Sequence, residues 1–183
     1  EYAARGFDDV KARATQGLLR SLMIQEEAVI LGGNTSVALG TTPTPTIADI
    51  TTGGTLAANT SHRVICVALS YQGQRVSSVT SGVIASVTRT NADGSSDTYG
   101  GGAAQQSAAA SVTTANDSNA THGISAYVTP VRGAFAYAWF LGTTAGTERL
   151  ISITTLNSAR LMGLNGSGQL ASALPGADNS TNT

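Results

Sequence analysis

The chain has 183 residues, 10 of them basic and 11 acidic, and Ala, Gly, Ser and Thr fill 93 positions. A net charge of −1 with a single lysine, Lys11, leaves no electrostatic footprint for nucleic acid or an anionic membrane. One Cys with two His is too few for a disulfide framework or a structural zinc site, and no apolar run approaches the roughly 18 residues of a membrane span.

Nine of the 21 charged residues fall within residues 1–27, which marks a module boundary. The pattern predicts a helix over residues 8–31. Asp8 or Asp9 suits its N-terminus, and Val10, Ala14, Leu18 and Leu22 recur at four-residue spacing with Leu19, Met23 and Ile30 beside them. Gly32 and Gly33 provide the left-handed stop. An apolar stripe of this kind is expected to be buried against something. The paired acids Asp8-Asp9 and Glu26-Glu27 are neighbours in sequence and point in different directions on a helix, so they read as solvated or subunit-contact residues. The chain starts at Glu1, with no signal-peptide pattern, and reads as a fragment or processed product.

Residues 34–45, with two prolines in TTPTPT, read as a linker. Residues 63–71 (RVICVALSY) are short and rich in branched side chains, a buried strand, and Gln72-Gly73-Gln74 is a turn. Residues 83–89 and 96–99 flank Asn91-Ala92-Asp93-Gly94, a hairpin signal. The oxygen-rich run 91–97 faintly resembles a calcium loop but lacks its distal Glu and its spacing. Residues 100–111 read as a mobile loop or edge strand. Residues 124–131 alternate, and Pro130 suggests an edge position. Residues 134–142 (AFAYAWFLG) hold the only Trp, with Tyr137, Trp139 and Leu141 sharing one face. Strands at 149–154 and 158–162 follow, and from Asn165 the chain is expected to fray. Seven or so short strands argue for a mainly β fold, an immunoglobulin-like sandwich behind an N-terminal helix. The aromatic content of 5% suggests a thin core.

Chemistry-bearing residues are few. His62 and Cys66 share a strand face four residues apart, too far for a nucleophile pair, and are expected to be a surface His and a core Cys. His122 follows a polar loop and is expected to be an exposed, unpartnered histidine. Trp139 is expected to anchor the core; exposed, it and Tyr137 would instead form a sugar-stacking platform. No catalytic, cofactor-binding or metal-binding set emerges, and no cofactor is expected.

Residues 8–33, DDVKARATQGLLRSLMIQEEAVILGG, resemble the helix and E-x-x-x-L-x-G segment of tailed-bacteriophage major capsid proteins of the HK97-like fold, through Glu27, residues 30–33 and Asn34. NTSVALGTTPTPTI, VTRTNADGSSDTYGGG and AFAYAWFLGTTAGTERLISITT resemble the subset of that family carrying an immunoglobulin-like or fibronectin-III-like insertion. The resemblance implies a virion protein without catalytic residues. Residues 1–42 would belong to the shell, 43–175 to a projecting sandwich and 176–183 to a flexible tail. It implies homo-oligomeric contacts with other capsid subunits through Leu18, Leu22, Met23 and Ile30, and surface decoration that includes host glycans, with no nucleic-acid or membrane partner. The family's N-terminal arm, extended loop and much of its axial domain have no counterpart, and Lys11 matches no cross-linking motif. Two other classes remain open: an adhesin or carbohydrate-binding module, and a small hydrolase using a Ser, His122 and an Asp.

Overall fold

The computed structural model describes the backbone of residues 2–32, 37–117 and 121–181, and their side chains except at 2–9, 28, 29, 31, 32 and 99. The chain divides into two compact units, Glu1–Asn34 and Thr35–Thr183. The first is a helix, α1, spanning Tyr2–Gly32. It starts earlier than the capping acids suggest, because Ala3, Ala4 and Arg5 are themselves good helix formers. All described side chains from Val10 to Glu27, and Ile30, are exposed, so the stripe that the sequence leads one to expect buried is open in this chain. Gly33 and Asn34, and the side chains of Asp8 and Asp9, lie outside the described residues.

The second unit is mainly β. Among the described residues it has nine strands: β1 (Thr46–Ile50), β2 (Ser61–Leu69), β3 (Val87–Thr90), β4 (Ser96–Tyr99), β5 (Ala110–Thr113), β6 (Gly123–Tyr127), β7 (Ala136–Gly142), β8 (Arg149–Thr154) and β9 (Ser158–Leu161). They form a three-stranded sheet β1-β6-β9, a four-stranded sheet β5-β2-β7-β8 and the hairpin β3-β4, all antiparallel. The 91–97 run is a turn: the Asn91 N–H donates to the Ser95 carbonyl at 2.8 Å, and Gly94 has φ +83°. Asp93 Oδ1 accepts from the Ser95 N–H and hydroxyl, and those two bonds hold its carboxyl below the usual range.

β2 and β7 are buried on both faces, so each reads as an apolar run rather than an alternation. Val64, Cys66 and Ala68 on β2 and Tyr137, Trp139 and Leu141 on β7 pack with Ile124, Ala126 and Leu161 from the smaller sheet. The opposite faces of β2 and β7 pack Ile65, Val67, Leu69, Ala138 and Phe140 against Val83, Ala103 and Ala171. The core is therefore double.

Five expectations are overturned by the fold. The described part of the linker-like stretch, residues 37–45, is woven into the unit: Leu39 and Thr42 are buried, and the Thr42 hydroxyl accepts from the Ala68 N–H at 2.9 Å. The glycine-rich stretch from 100 is largely buried, and only its last part is an edge strand, β5. The described C-terminal residues, to Thr181, are tied to the unit rather than frayed. A 3-10 turn at Ala171–Ala173 covers the second core, Asn179 Oδ1 accepts from Ala103 N–H, and the Ser180 hydroxyl accepts from Leu39 N–H at 2.8 Å. Pro130 lies beyond β6, which is the middle strand of its sheet. The expected turn at 72–74 is a short helix, α2 (Tyr71–Val76), capped by the Ser70 hydroxyl.

Candidate functional site

His62 and His122 are both buried, contrary to the expectation that they lie at the surface. A polar residue's place depends on its partners, and here those come from distant parts of the chain. His122 immediately precedes β6. Its Nδ1 lies 3.0 and 3.1 Å from the two carboxylate oxygens of Asp49 on β1. Its Nε2 lies 2.8 Å from Asp117 Oδ1, in the connection after β5. Asp49 Oδ2 also accepts from the Ala115 N–H at 2.8 Å. The side-chain hydrogen bond with Asp117, against the opposing effect of burial and with help from Asp49, holds the His122 pKa above the ordinary histidine value.

His62 sits on β2, and neither ring nitrogen has a hydrogen-bond partner. Burial pushes its pKa down; the Ala57 backbone and the nearby Asp49 carboxylate oppose this, and repulsion from His122 adds a smaller push downward. Cys66 is buried on the same strand face, and burial pushes its thiol up, which suppresses the thiolate a nucleophile needs. Both ring nitrogens of His122 face carboxylates, so in this arrangement neither is directed at a serine hydroxyl. Among the described residues, no group of three His, Cys, Asp or Glu side chains is placed to hold a metal ion.

Glu148, fully buried, meets Arg63 with Nε to Oε1 at 2.8 Å and accepts from Gly146 N–H at 2.8 Å. Burial alone would raise its carboxyl; the Arg63 and backbone hydrogen bonds outweigh it and leave it below the usual range. This pair fastens the β7–β8 turn to β2.

Trp139 is 0% exposed and Tyr137 5%, as expected of a core anchor, so the alternative sugar platform of these two has no face to offer. The Trp139 indole N–H donates to the Thr154 hydroxyl at 2.8 Å, and the Tyr137 hydroxyl accepts from Val131 N–H. Among the described residues, the aromatic with the most solvent exposure is Tyr127, at 48%. On β6 it alternates with the buried Ile124 and Ala126, which places it on the outer face of the three-stranded sheet. Thr46 and Ser158 pair beside it. A groove of about 550 Å³ runs there, with Ser125 and Arg160 also in its lining. Nothing in the sequence favoured Tyr127 over Tyr137; only the register decides which tyrosine turns outward.

The subcontact residues taken from the sequence, Leu18, Leu22, Met23 and Ile30, are 62%, 53%, 63% and 72% exposed on α1. Among the described residues, no helix is long and apolar enough to cross a membrane. No protein-family model, no curated protein and no solved structure matches this chain.

Proposed function

We propose that the protein is a structural subunit that acts through contacts with other protein subunits, in the manner of a phage capsid protein carrying a projecting immunoglobulin-like domain. The observation behind this reading is α1, where Val10, Leu18, Leu19, Leu22, Met23, Ile24 and Ile30 are each at least half exposed. A helix with so much apolar surface in water is an association surface. The capsid resemblance of residues 8–33 supplies the kind of partner, further subunits of a shell, and localises the protein to the virion.

Sedimentation velocity of the full chain over a concentration series tests this. Association is expected, and a variant combining Leu18→Glu, Leu22→Glu and Met23→Glu should weaken it by about 100-fold, since buried apolar anchors dominate such interfaces. A chain that stays monomeric throughout while its far-UV circular dichroism shows α1 intact would sink the proposal.

The groove at Tyr127 favours a second reading, a carbohydrate-binding module. An exposed phenol ring between Thr46 and Ser158, with Arg160 in the same groove, offers stacking and hydrogen bonding together. If so, Tyr127→Ala lowers glycan affinity about tenfold on an array, while Thr46→Ala has a smaller effect. Absence of any glycan binding by the unmodified chain would remove this reading.

A further inference from the structure

α1 carries two charges inside its apolar face, and they differ in sign. At about 3.6 residues per turn, Leu18, Leu22 and Leu19 lie along one side of the helix, and Lys11 and Glu26 fall within the same arc. Arg13, Arg20 and Glu27 fall on the opposite side. Lys11 and Glu26 are both exposed. At about 1.5 Å of rise per residue they stand about 22 Å apart along the axis, so they cannot meet within one helix. The face is also graded in size. Around Lys11 its uncharged members are small, Ala14 and Thr15, whereas towards Glu26 they are large, Leu18, Leu19, Leu22 and Met23.

This double gradient distinguishes the two ways in which a second copy can lie against the face. Side by side in the same direction, Lys11 would meet Lys11 and Glu26 would meet Glu26, and like charges repel. Large residues would also meet large ones, holding the small end apart. In the opposite direction, Lys11 of each copy comes beside Glu26 of the other. Counting along both helices from that contact, Ala14 falls beside Met23, Thr15 beside Leu22 and Leu18 beside Leu19. Small then meets large, as dense packing between helices requires. Charged residues bordering an apolar seam set the orientation of paired helices in this way.

We propose that α1 is a self-complementary surface that pairs antiparallel with α1 of a second copy, with Leu18 and Leu19 at the centre and a Lys11–Glu26 ion pair at each end. The pattern has the symmetry of a two-fold interface, in which one residue contacts another and that other contacts the first in return. The inference rests on the reading of α1 as an association surface, and it adds which partner the surface takes and in which direction.

Sedimentation equilibrium of the full chain at low salt tests the pairing, with Lys11→Glu, Glu26→Lys and the double reversal compared. Glu and Lys are both good helix formers, so the far-UV circular dichroism of all three should match the unmodified chain. Either single reversal turns both ion pairs of the dimer into like-charge contacts, and association should weaken about tenfold, the scale of two exposed pairs made repulsive. The double reversal restores opposite charges at both ends and should recover the original affinity. Added salt should narrow the gap between the single variants and the rest. In a parallel pair the single reversals only exchange one like-charge contact for another. Single variants that associate as tightly as the unmodified chain, or a helical double variant no tighter than the singles, would therefore overturn antiparallel pairing and leave α1 as an association surface of another kind. An unmodified chain that stays monomeric would overturn both the pairing and the reading on which it rests.

Discussion

Replacing Trp139 by alanine is expected to destabilise the β unit by about 3–5 kcal/mol, the usual cost of truncating a fully buried large aromatic. The side chain is 0% exposed and stands on β7, the strand that pairs with both β2 and β8. It packs where the four-stranded sheet meets Ile124, Ala126 and Leu161 of the smaller sheet. Removing it opens a cavity between the sheets that neither can close without shifting its register. The change also strips the Thr154 hydroxyl of the indole donor, although that hydroxyl still donates to the Leu156 carbonyl at 2.7 Å. Since domain stabilities lie at about 5–15 kcal/mol, Trp139→Ala could leave the unit unfolded. Trp139→Phe keeps most of the ring and should cost less, about 1–2 kcal/mol, from the lost hydrogen bond and a smaller void. Urea titration followed by circular dichroism gives both values. A cost under 1 kcal/mol for the alanine variant would mean that this residue does not anchor the core.

Strands were legible in the sequence where burial on both faces left a plain signature. RVICVALSY and AFAYAWFLG are dense in apolar and branched residues, and β2 and β7 fall on them. The turn at Asn91–Gly94 was legible because its chemistry is local. The Asx contacts and the positive φ of Gly94 need nothing from the rest of the chain. What escaped depends on partners far away in sequence. Leu39, Thr42 and Ser180 look like linker and tail by composition, yet Ser180 accepts from Leu39 N–H across 141 residues. His122 looks like a loop histidine because Asp49 lies 73 residues before it. Its nearer partner, Asp117, is only five residues upstream and was the one available signal. The helix was legible in position, but its apolar side chains are exposed where the pattern led one to expect burial. Small residues posed the remaining difficulty: glycine runs read as loose chain, whereas several here are tightly packed.

Gly102→Ala is the second change expected to have a large effect, about 3 kcal/mol or more. Gly102 has φ +88°, in the left-handed region where a side chain costs about 1–2 kcal/mol. It also lies against α2: a Cβ there would come within 2.6 Å of Gly73 Cα and 2.7 Å of the Ser70 hydroxyl, and closer still to the Gly73 backbone nitrogen. Overpacking of that kind adds about 1–3 kcal/mol. The Ser70 hydroxyl is the cap of α2, accepting from Gly73 N–H, and Ser70 N–H donates to the Gly102 carbonyl at 2.8 Å. Displacing Gly102 would thus disturb the cap, the end of β2 and the Asn179 contact at once. Gly94→Ala separates the two causes. Gly94 has φ +83° but nothing within 4 Å of its would-be Cβ, so alanine there should cost only the backbone share, about 1–2 kcal/mol. The difference between the two variants in urea denaturation measures the close approach alone. If Gly102→Ala and Gly94→Ala cost the same, the glycine run is there for backbone conformation and the packing of α2 against it contributes nothing.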